Sequence, residues 1–125
     1  MKIAVSAEGN TLNSMMDLRF GRAPSFFIID QETGDTEVLG NEAAFATGGA
    51  GIATAQMIVD KGVSTVITGN VGPNAMKVLK AGDVTIYQGR HVPVQENIEY
   101  FEKGLLTKIE STVPAHFGMG RQGQR

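Results

Sequence analysis

Two successive strand–glycine–helix units in the second half of the sequence limit the possible folds more than any other feature. Residues 64–68 form a β-branched run typical of a buried strand, and Gly72-Pro73 then places proline at the first position of a helix. Residues 84–87 predict another strand, and Pro93 begins a further helix. Strands that alternate with helices are parallel and are joined by right-handed crossovers. This half of the chain therefore predicts an α/β domain.

The first half adds an antiparallel part to the sheet. Residues 2–7 and 25–30 are apolar runs that predict two strands, and residues 36–39 predict a third. Residues 31–35 have the composition of a turn, so the second and third strands are expected to form a hairpin. The complete pattern predicts a mixed five-stranded sheet with helices on both faces.

The first helix is predicted to follow the glycines at positions 48, 49 and 51 and to end at Gly62. Its apolar residues recur at close to helical spacing. The predicted buried face consists of Ile52, Ala55, Gln56 and Val59, with Ile58 beside it.

The length of 125 residues indicates one domain. Residues 1–110 are expected to form this domain, and residues 111–125, rich in Gly, Gln and Arg, are expected to form a flexible tail. The apolar run at the start of the sequence reaches an acid at Glu8 and is too short for a signal peptide or a membrane span. A cytoplasmic monomer without membrane contact is expected.

The chain contains no cysteine. This excludes disulfides, cysteine-ligated zinc and an iron–sulfur cluster held by the chain's own thiolates. The net charge is −2, from 11 basic and 13 acidic residues, and no basic stripe appears, which disfavours nucleic-acid binding. No Gly-x-Ser-x-Gly motif is present, and no serine is evidently paired with a histidine. The chain is not expected to be an enzyme.

Three motifs occur in an order that resembles a known family. They read FGRAP at 20–24 before the strand at 26–30, GGAGI at 48–52, and GNVGPNA at 69–75. They resemble the dinitrogenase iron–molybdenum cofactor biosynthesis family, which contains NifX-like proteins and the matching domain of NifB-type proteins. The resemblance spans about residues 1–108.

The resemblance implies a ribonuclease-H-like three-layer fold with strand order 3-2-1-4-5 and an antiparallel second strand. It also implies that the protein binds or carries an iron–sulfur or iron–molybdenum cofactor or its precursor, with proteins that donate or accept the cofactor as partners. Some members belong to nitrogen fixation, and many small members stand outside it. Nitrogenase-linked members often have histidine directly before Phe-Gly, where this chain has Arg19.

The two glycine loops, residues 48–51 and 69–72, are chemically suited to bind a bulky anion. Each loop leads into a helix, whose unpaired N–H groups and positive dipole end attract anions. Loop 69–72 also follows the carboxyl end of a parallel strand, the usual ligand crevice of open α/β sheets. The same glycines also suit tight turns and close packing, so a purely structural role stays open. The predicted cofactor-binding residues are Arg19, Phe20, Gly21, Arg22, Gly48, Gly49, Gly51, Gly69, Asn70, Gly72 and Arg90.

Two histidines are the candidate metal ligands. His91 follows the fifth predicted strand, and His116 lies in the predicted tail. Isolated histidines are more often surface or hydrogen-bonded residues than ligands. Two histidines without thiolates cannot hold a cluster as four cysteines would, so any cluster is expected to arrive pre-assembled.

Two other functions are alternatives to cofactor binding. A nuclease of the ribonuclease-H type needs carboxylates on its central strands, but the first strand offers only Ala4 and Ser6 at inner positions. A protein-interaction or regulatory domain without a small ligand is the remaining alternative. It is favoured by the missing cysteines, by Arg19 and by the tail.

Overall fold

The computed structural model describes residues 1–45 and 48–110, which form one sheet and three helices. No helix in this part of the chain is long and apolar enough to cross a membrane. The predicted tail, residues 111–125, lies outside the described residues. In chain order the elements are β1 (Lys2–Ala7), β2 (Ser25–Asp30), β3 (Thr36–Gly40), a 3-10 turn (Glu42–Phe45), α1 (Ala50–Asp60), β4 (Thr65–Thr68), α2 (Pro73–Ala81), β5 (Thr85–Gln88), α3 (Val94–Glu102) and β6 (Thr107–Ile109).

The strands lie in the order β3-β2-β1-β4-β5-β6. Strand β2 runs antiparallel to both β1 and β3, which confirms the predicted hairpin. Strand β4 is parallel to β1, and β5 is parallel to β4, as the two strand–helix units require. The predicted order 3-2-1-4-5 with an antiparallel second strand is thus confirmed.

The sheet has six strands rather than the predicted five. After α3, Gly104 adopts a φ of 73°, and residues 107–109 then run antiparallel along β5 as β6. A three-residue strand is too short to show an alternating pattern in the sequence. This is why the sequence shows only a short apolar piece there.

Helices cover both faces of the sheet, so its central strands are almost continuously apolar. Ala4 of β1 faces the core that contains Ile58 of α1 and Leu79 of α2. Val5, the next residue, faces the second core, which contains Ile98 of α3. The structure is therefore a three-layer domain with α1 and α2 on one face and α3 on the other.

The buried face of α1 is rotated from the predicted one. Its buried residues are Ala50, Thr54, Ala55 and Ile58, whereas Ile52 is 46% exposed. Small residues at the start of α1 pack closely against α2. The spacing is so tight that a Cβ on Gly51 would lie only 3.3 Å from the Cβ of Ala75. At this close approach small residues, rather than Ile52, lie against α2.

Candidate ligand-binding site

The starts of α1 and α2 meet at one open pocket of about 230 Å³. Helix α2 begins just beyond the carboxyl end of β4, the position at which open α/β sheets usually bind ligands. The starts of α1 and α2 form two walls of the pocket, and Phe20 and Gly21, in the loop between β1 and β2, form the third. The pocket is lined by Phe20, Gly21, Gly49, Ala50, Gly51, Ile52, Gly72, Pro73, Asn74 and Ala75.

Both helices begin at a glycine, so neither N-cap residue has a side chain that could cap the first turn. The first helical hydrogen bonds are donated by Ala53 to the Gly49 carbonyl and by Met76 to the Gly72 carbonyl. The earlier N–H groups of each helix have no partner within their own helix. Two positive helix ends therefore converge on one pocket, an arrangement suited to an anion.

The two N-cap glycines differ in what they contribute. Gly49 has a φ of 71°, a left-handed conformation that L side chains rarely adopt. Gly72 has φ −71° and ψ 166°, which any residue can adopt, and no described atom lies within 4 Å of the position of a Cβ. Gly49 is therefore needed by the backbone, whereas Gly72 leaves space open at the pocket.

The loop wall of the pocket packs directly on α1. A Cβ on Gly21 would lie 3.0 Å from the Cα of Gly51 and 3.1 Å from its nitrogen. A side chain at position 21 would thus push the loop away from the helix. This explains the pairing of the two glycines, which come from the first and second motifs.

Gly69 and Asn70 lie behind this wall and are not among the residues that line the pocket. The Asn70 N–H donates to the Leu18 carbonyl at 2.7 Å, and the Phe20 N–H donates to the Asn70 carbonyl at 3.1 Å. A Cβ on Gly69 would collide with the backbone of Leu18. These two residues thus hold the loop that carries Phe20 into the pocket.

The predicted cationic residues lie outside the pocket lining. The Arg19 guanidinium makes two hydrogen bonds to Asp17, from Nε to Oδ1 at 3.0 Å and from Nη2 to Oδ2 at 2.9 Å. Arg90 lies over the ring of Tyr100, 4.4 Å from its centroid. Arg22 donates to the carbonyl of Ala44 at 2.9 Å.

The remaining predicted residues are also outside the pocket lining. His91 Nε2 lies 3.0 Å from the Glu8 carboxylate, and both side chains are about half exposed. Gly48 is exposed, with no described atom within 4 Å of the position of a Cβ. His116 lies outside the described residues. The structure thus groups Phe20, Gly21, Gly49, Gly51 and Gly72 in the pocket and separates the others from it.

Ile52, Pro73, Asn74 and Asp17 are not among the site residues that the sequence predicts. The first three belong to first turns of helices, and Pro73 at the N1 position already marked one such turn. Asp17 lies in a loop whose sequence has no helix or strand periodicity. Its role depends on its burial beside Arg19, which the sequence does not reveal. Its side chain is only 3% exposed.

No group of three or more His, Cys, Asp or Glu side chains that could hold a metal ion occurs in residues 1–45 and 48–110. The described lining of the pocket also contains no ionisable side chain. A ligand there would be held by backbone N–H groups, by the Asn74 amide and by apolar contacts. This chemistry suits a pre-assembled anion better than a bare metal ion.

Asp17 makes the stability of the domain depend on pH. Burial alone would raise the pKa of its carboxyl, but hydrogen bonds from the Arg19 side chain and N–H, together with the Arg19 charge, lower the pKa below its usual value. A folded-state pKa below the unfolded one stabilises the protein above the unfolded pKa of about 3.9. That stabilisation is lost as the pH falls through the folded-state pKa.

Asp17→Asn is therefore expected to lower the free energy of unfolding at pH 7 and to lose this effect at acid pH. Urea unfolding of both proteins between about pH 7 and pH 3 measures the difference. Arg19→Ala serves as the control. In a protein that already carries Arg19→Ala, adding Asp17→Asn should lower the free energy of unfolding by less than it does in the wild type. A difference that stays constant across this pH range would contradict the ion-pair assignment.

Comparisons with known proteins place the chain in a family. A family model described as dinitrogenase iron-molybdenum cofactor matches residues 1–104. An uncharacterized protein of Methanocaldococcus jannaschii is 33% identical over 113 residues, which cover 88% of this chain and 92% of that protein.

Two solved structures share the fold over most of their length. The apo form of the orange protein from Desulfovibrio gigas has a TM-score of 0.84 and 33% identity, covering 88% of this chain and 93% of its own. A Thermotoga protein assigned as NifB, determined by NMR, has a TM-score of 0.82 and 38% identity, covering 91% of this chain and 97% of its own. The chain belongs to the dinitrogenase iron-molybdenum cofactor family.

Proposed function

We propose that this protein binds and carries an anionic iron–sulfur or iron–molybdenum cofactor, or its precursor, in the pocket between the starts of α1 and α2. The main support is the convergence of two helix N-termini, both with glycine N-caps, on one pocket. The description of the family model, which names the iron-molybdenum cofactor, supports this kind of cargo.

The pocket fits such a cargo in its donors and its open space. First-turn N–H groups can donate to the sulfides or carboxylates of a cluster, and the open space at Gly72 admits a bulky group. The chain has no thiolate with which to ligate iron. The cargo therefore arrives pre-assembled and is held without covalent ligation, which allows its release to a partner protein.

The protein acts as a carrier rather than a catalyst. Catalytic acids, bases and nucleophiles are ionisable or polar side chains placed against the substrate. Among the described lining residues, Asn74 alone has a polar side chain, and it cannot titrate. The proteins that donate and accept the cofactor supply the chemistry of its assembly.

The direct test is an anaerobic titration of the protein with extracted iron–molybdenum cofactor and with its iron–sulfur precursor. Visible absorption reports binding, and backbone amide NMR locates it. Perturbations are expected at residues 20–21, 49–52, 72 and 74–75. If saturating amounts of both compounds perturb no amide of the wild-type protein, the carrier function is wrong.

Asn74→Asp tests the location of the cargo by charge alone. Asn74 lies in the first turn of α2, where a carboxylate stabilises the helix by about 0.5 kcal/mol, so the free energy of unfolding should rise slightly. Cofactor affinity should nevertheless fall about tenfold, because the new charge repels an anion in the pocket. A variant that becomes more stable and binds more weakly separates binding from folding.

Gln95→Glu is the matched control. Gln95 is exposed in the first turn of α3, on the other face of the sheet, and its replacement changes the net charge by the same amount. The cofactor affinity of this variant should equal that of the wild type. Equal weakening by both variants would indicate a nonspecific charge effect and would contradict the pocket assignment.

A protein-interaction function is the second candidate. It is supported by Phe45, at the end of the 3-10 turn, whose large apolar side chain is 81% exposed. An exposed aromatic ring is a candidate anchor for a protein partner, because aromatic side chains are enriched in protein interfaces. Failure of the titration in the wild-type protein would leave this candidate as the leading function.

A further inference from the structure

Two buried polar side chains join the loop wall of the pocket to α1. Asn41 and Thr54 are 2% and 0% exposed and lie beside the apolar core between the sheet and α1. Asn41 Nδ2 donates to the Ala23 carbonyl at 2.9 Å and approaches the Gly21 carbonyl at 3.5 Å. The Thr54 hydroxyl lies 3.2 Å from Asn41 Oδ1 and 3.4 Å from the Gly21 carbonyl.

The donors of the Asn41 and Thr54 side chains all have acceptors within hydrogen-bonding distance. The two protons of the Asn41 amide point to two loop carbonyls, and the single hydroxyl proton of Thr54 has Asn41 Oδ1 as its nearer acceptor. The Asn41 N–H also donates to the Pro24 carbonyl at 2.9 Å. Because unpaired polar groups are costly when buried, the loop, Asn41 and α1 are held in one arrangement.

The opposite end of the wall is held separately, by the hydrogen bond from the Phe20 N–H to Asn70. Gly21 thus lies between two anchors, one on the β4–α2 loop and one on α1. Its approach to Gly51 leaves no free space, since a Cβ there would already be 3.0 Å away. Loss of the α1 anchor is therefore expected to let the wall move outward and the pocket widen.

We propose that Asn41 and Thr54 are positioning residues that fix the width of the pocket and thereby its affinity for the cargo. This inference rests on the proposed function, because width matters only for a bound ligand. Neither residue is among those that line the pocket, so their effect passes through Gly21.

Thr54→Val and Thr54→Ser are the matched test pair. Valine has nearly the shape of threonine but lacks the hydroxyl, whereas serine keeps the hydroxyl and loses a methyl group. Thr54→Val is expected to bind extracted iron–molybdenum cofactor about tenfold more weakly, mainly through faster dissociation. Thr54→Ser should bind within about threefold of the wild type, although it loses packing as well.

The amide NMR spectrum of the cofactor-free protein supplies an independent readout. In Thr54→Val the Gly21 and Gly51 signals should shift or broaden, whereas in Thr54→Ser they should overlay those of the wild type. Unchanged signals and unchanged affinity in Thr54→Val would overturn the positioning role. Failure of the wild type to bind would instead reject the proposed function, and the Gly21 and Gly51 signals would still decide whether Thr54 positions the wall.

Discussion

Replacing Gly69 with alanine is expected to lower the free energy of unfolding by about 3 kcal/mol, the largest backbone effect that we expect in the domain. The new Cβ would lie 2.7 Å from the Cα of Leu18 and 2.9 Å from its carbonyl carbon, with the carbonyl oxygen closer still. These are backbone atoms, which cannot move aside as a side chain can. The hydrogen bonds that join Asn70 to Leu18 and Phe20 would be strained or broken.

Gly40→Ala is the control for this prediction. Gly40 ends β3 at the edge of the sheet, and no described atom lies within 4 Å of the position of its Cβ. Its replacement should change the free energy of unfolding by less than about 0.5 kcal/mol. Urea unfolding of the wild type, Gly69→Ala and Gly40→Ala gives the free energies of unfolding. The comparison holds if the three measured m-values agree. If Gly69→Ala proves as stable as Gly40→Ala, the close contact between Gly69 and the backbone of Leu18 does not exist in the protein.

Phe20→Ala is expected to cost about 3–5 kcal/mol, the largest side-chain effect in the domain. Phe20 is 1% exposed and packs edge-to-face on Phe26, with ring centroids 5.4 Å apart. Its removal leaves a cavity that the rigid sheet cannot fill. The cavity would open into the pocket between the starts of α1 and α2, because Phe20 also lines that pocket.

The control is Phe45→Ala, which removes the same ring from a position that is 81% exposed. Its free energy of unfolding should stay within about 0.5 kcal/mol of the wild type. Thermal and urea unfolding in the absence of cofactor test both variants. A loss at Phe20 no greater than that at Phe45 would show that Phe20 does not belong to the core.

The fold could be predicted from the sequence because its signals are local and repeated. The bounds of β1 and β2 agree with the predicted runs, Gly72-Pro73 correctly marked the start of α2, and Gly62 correctly marked the end of α1. The order of the strands followed from the hairpin and the two strand–helix units. Strand β6 was not predicted, since three residues beside a sheet edge carry no pattern of their own.

The individual roles of the glycines could not be predicted, because each role depends on what crosses the glycine in space. Gly69 and Gly72 belong to one motif, but Gly69 faces the backbone of Leu18 and Gly72 faces open space. The charged residues show the same limit. Arg19 was predicted beside an anionic ligand, whereas a nearly buried carboxylate, Asp17, already pairs with it.

The ordinary backbone conformation of Gly72 has a consequence for how such a pocket can evolve. A mutation at Gly49 is restricted by its left-handed φ, but the φ of −71° at Gly72 is acceptable for every side chain. A single codon change there would alter the size of the cavity without disturbing the domain that surrounds it. A relative with a different residue at this position is therefore expected to differ in the size of this pocket more than in its stability.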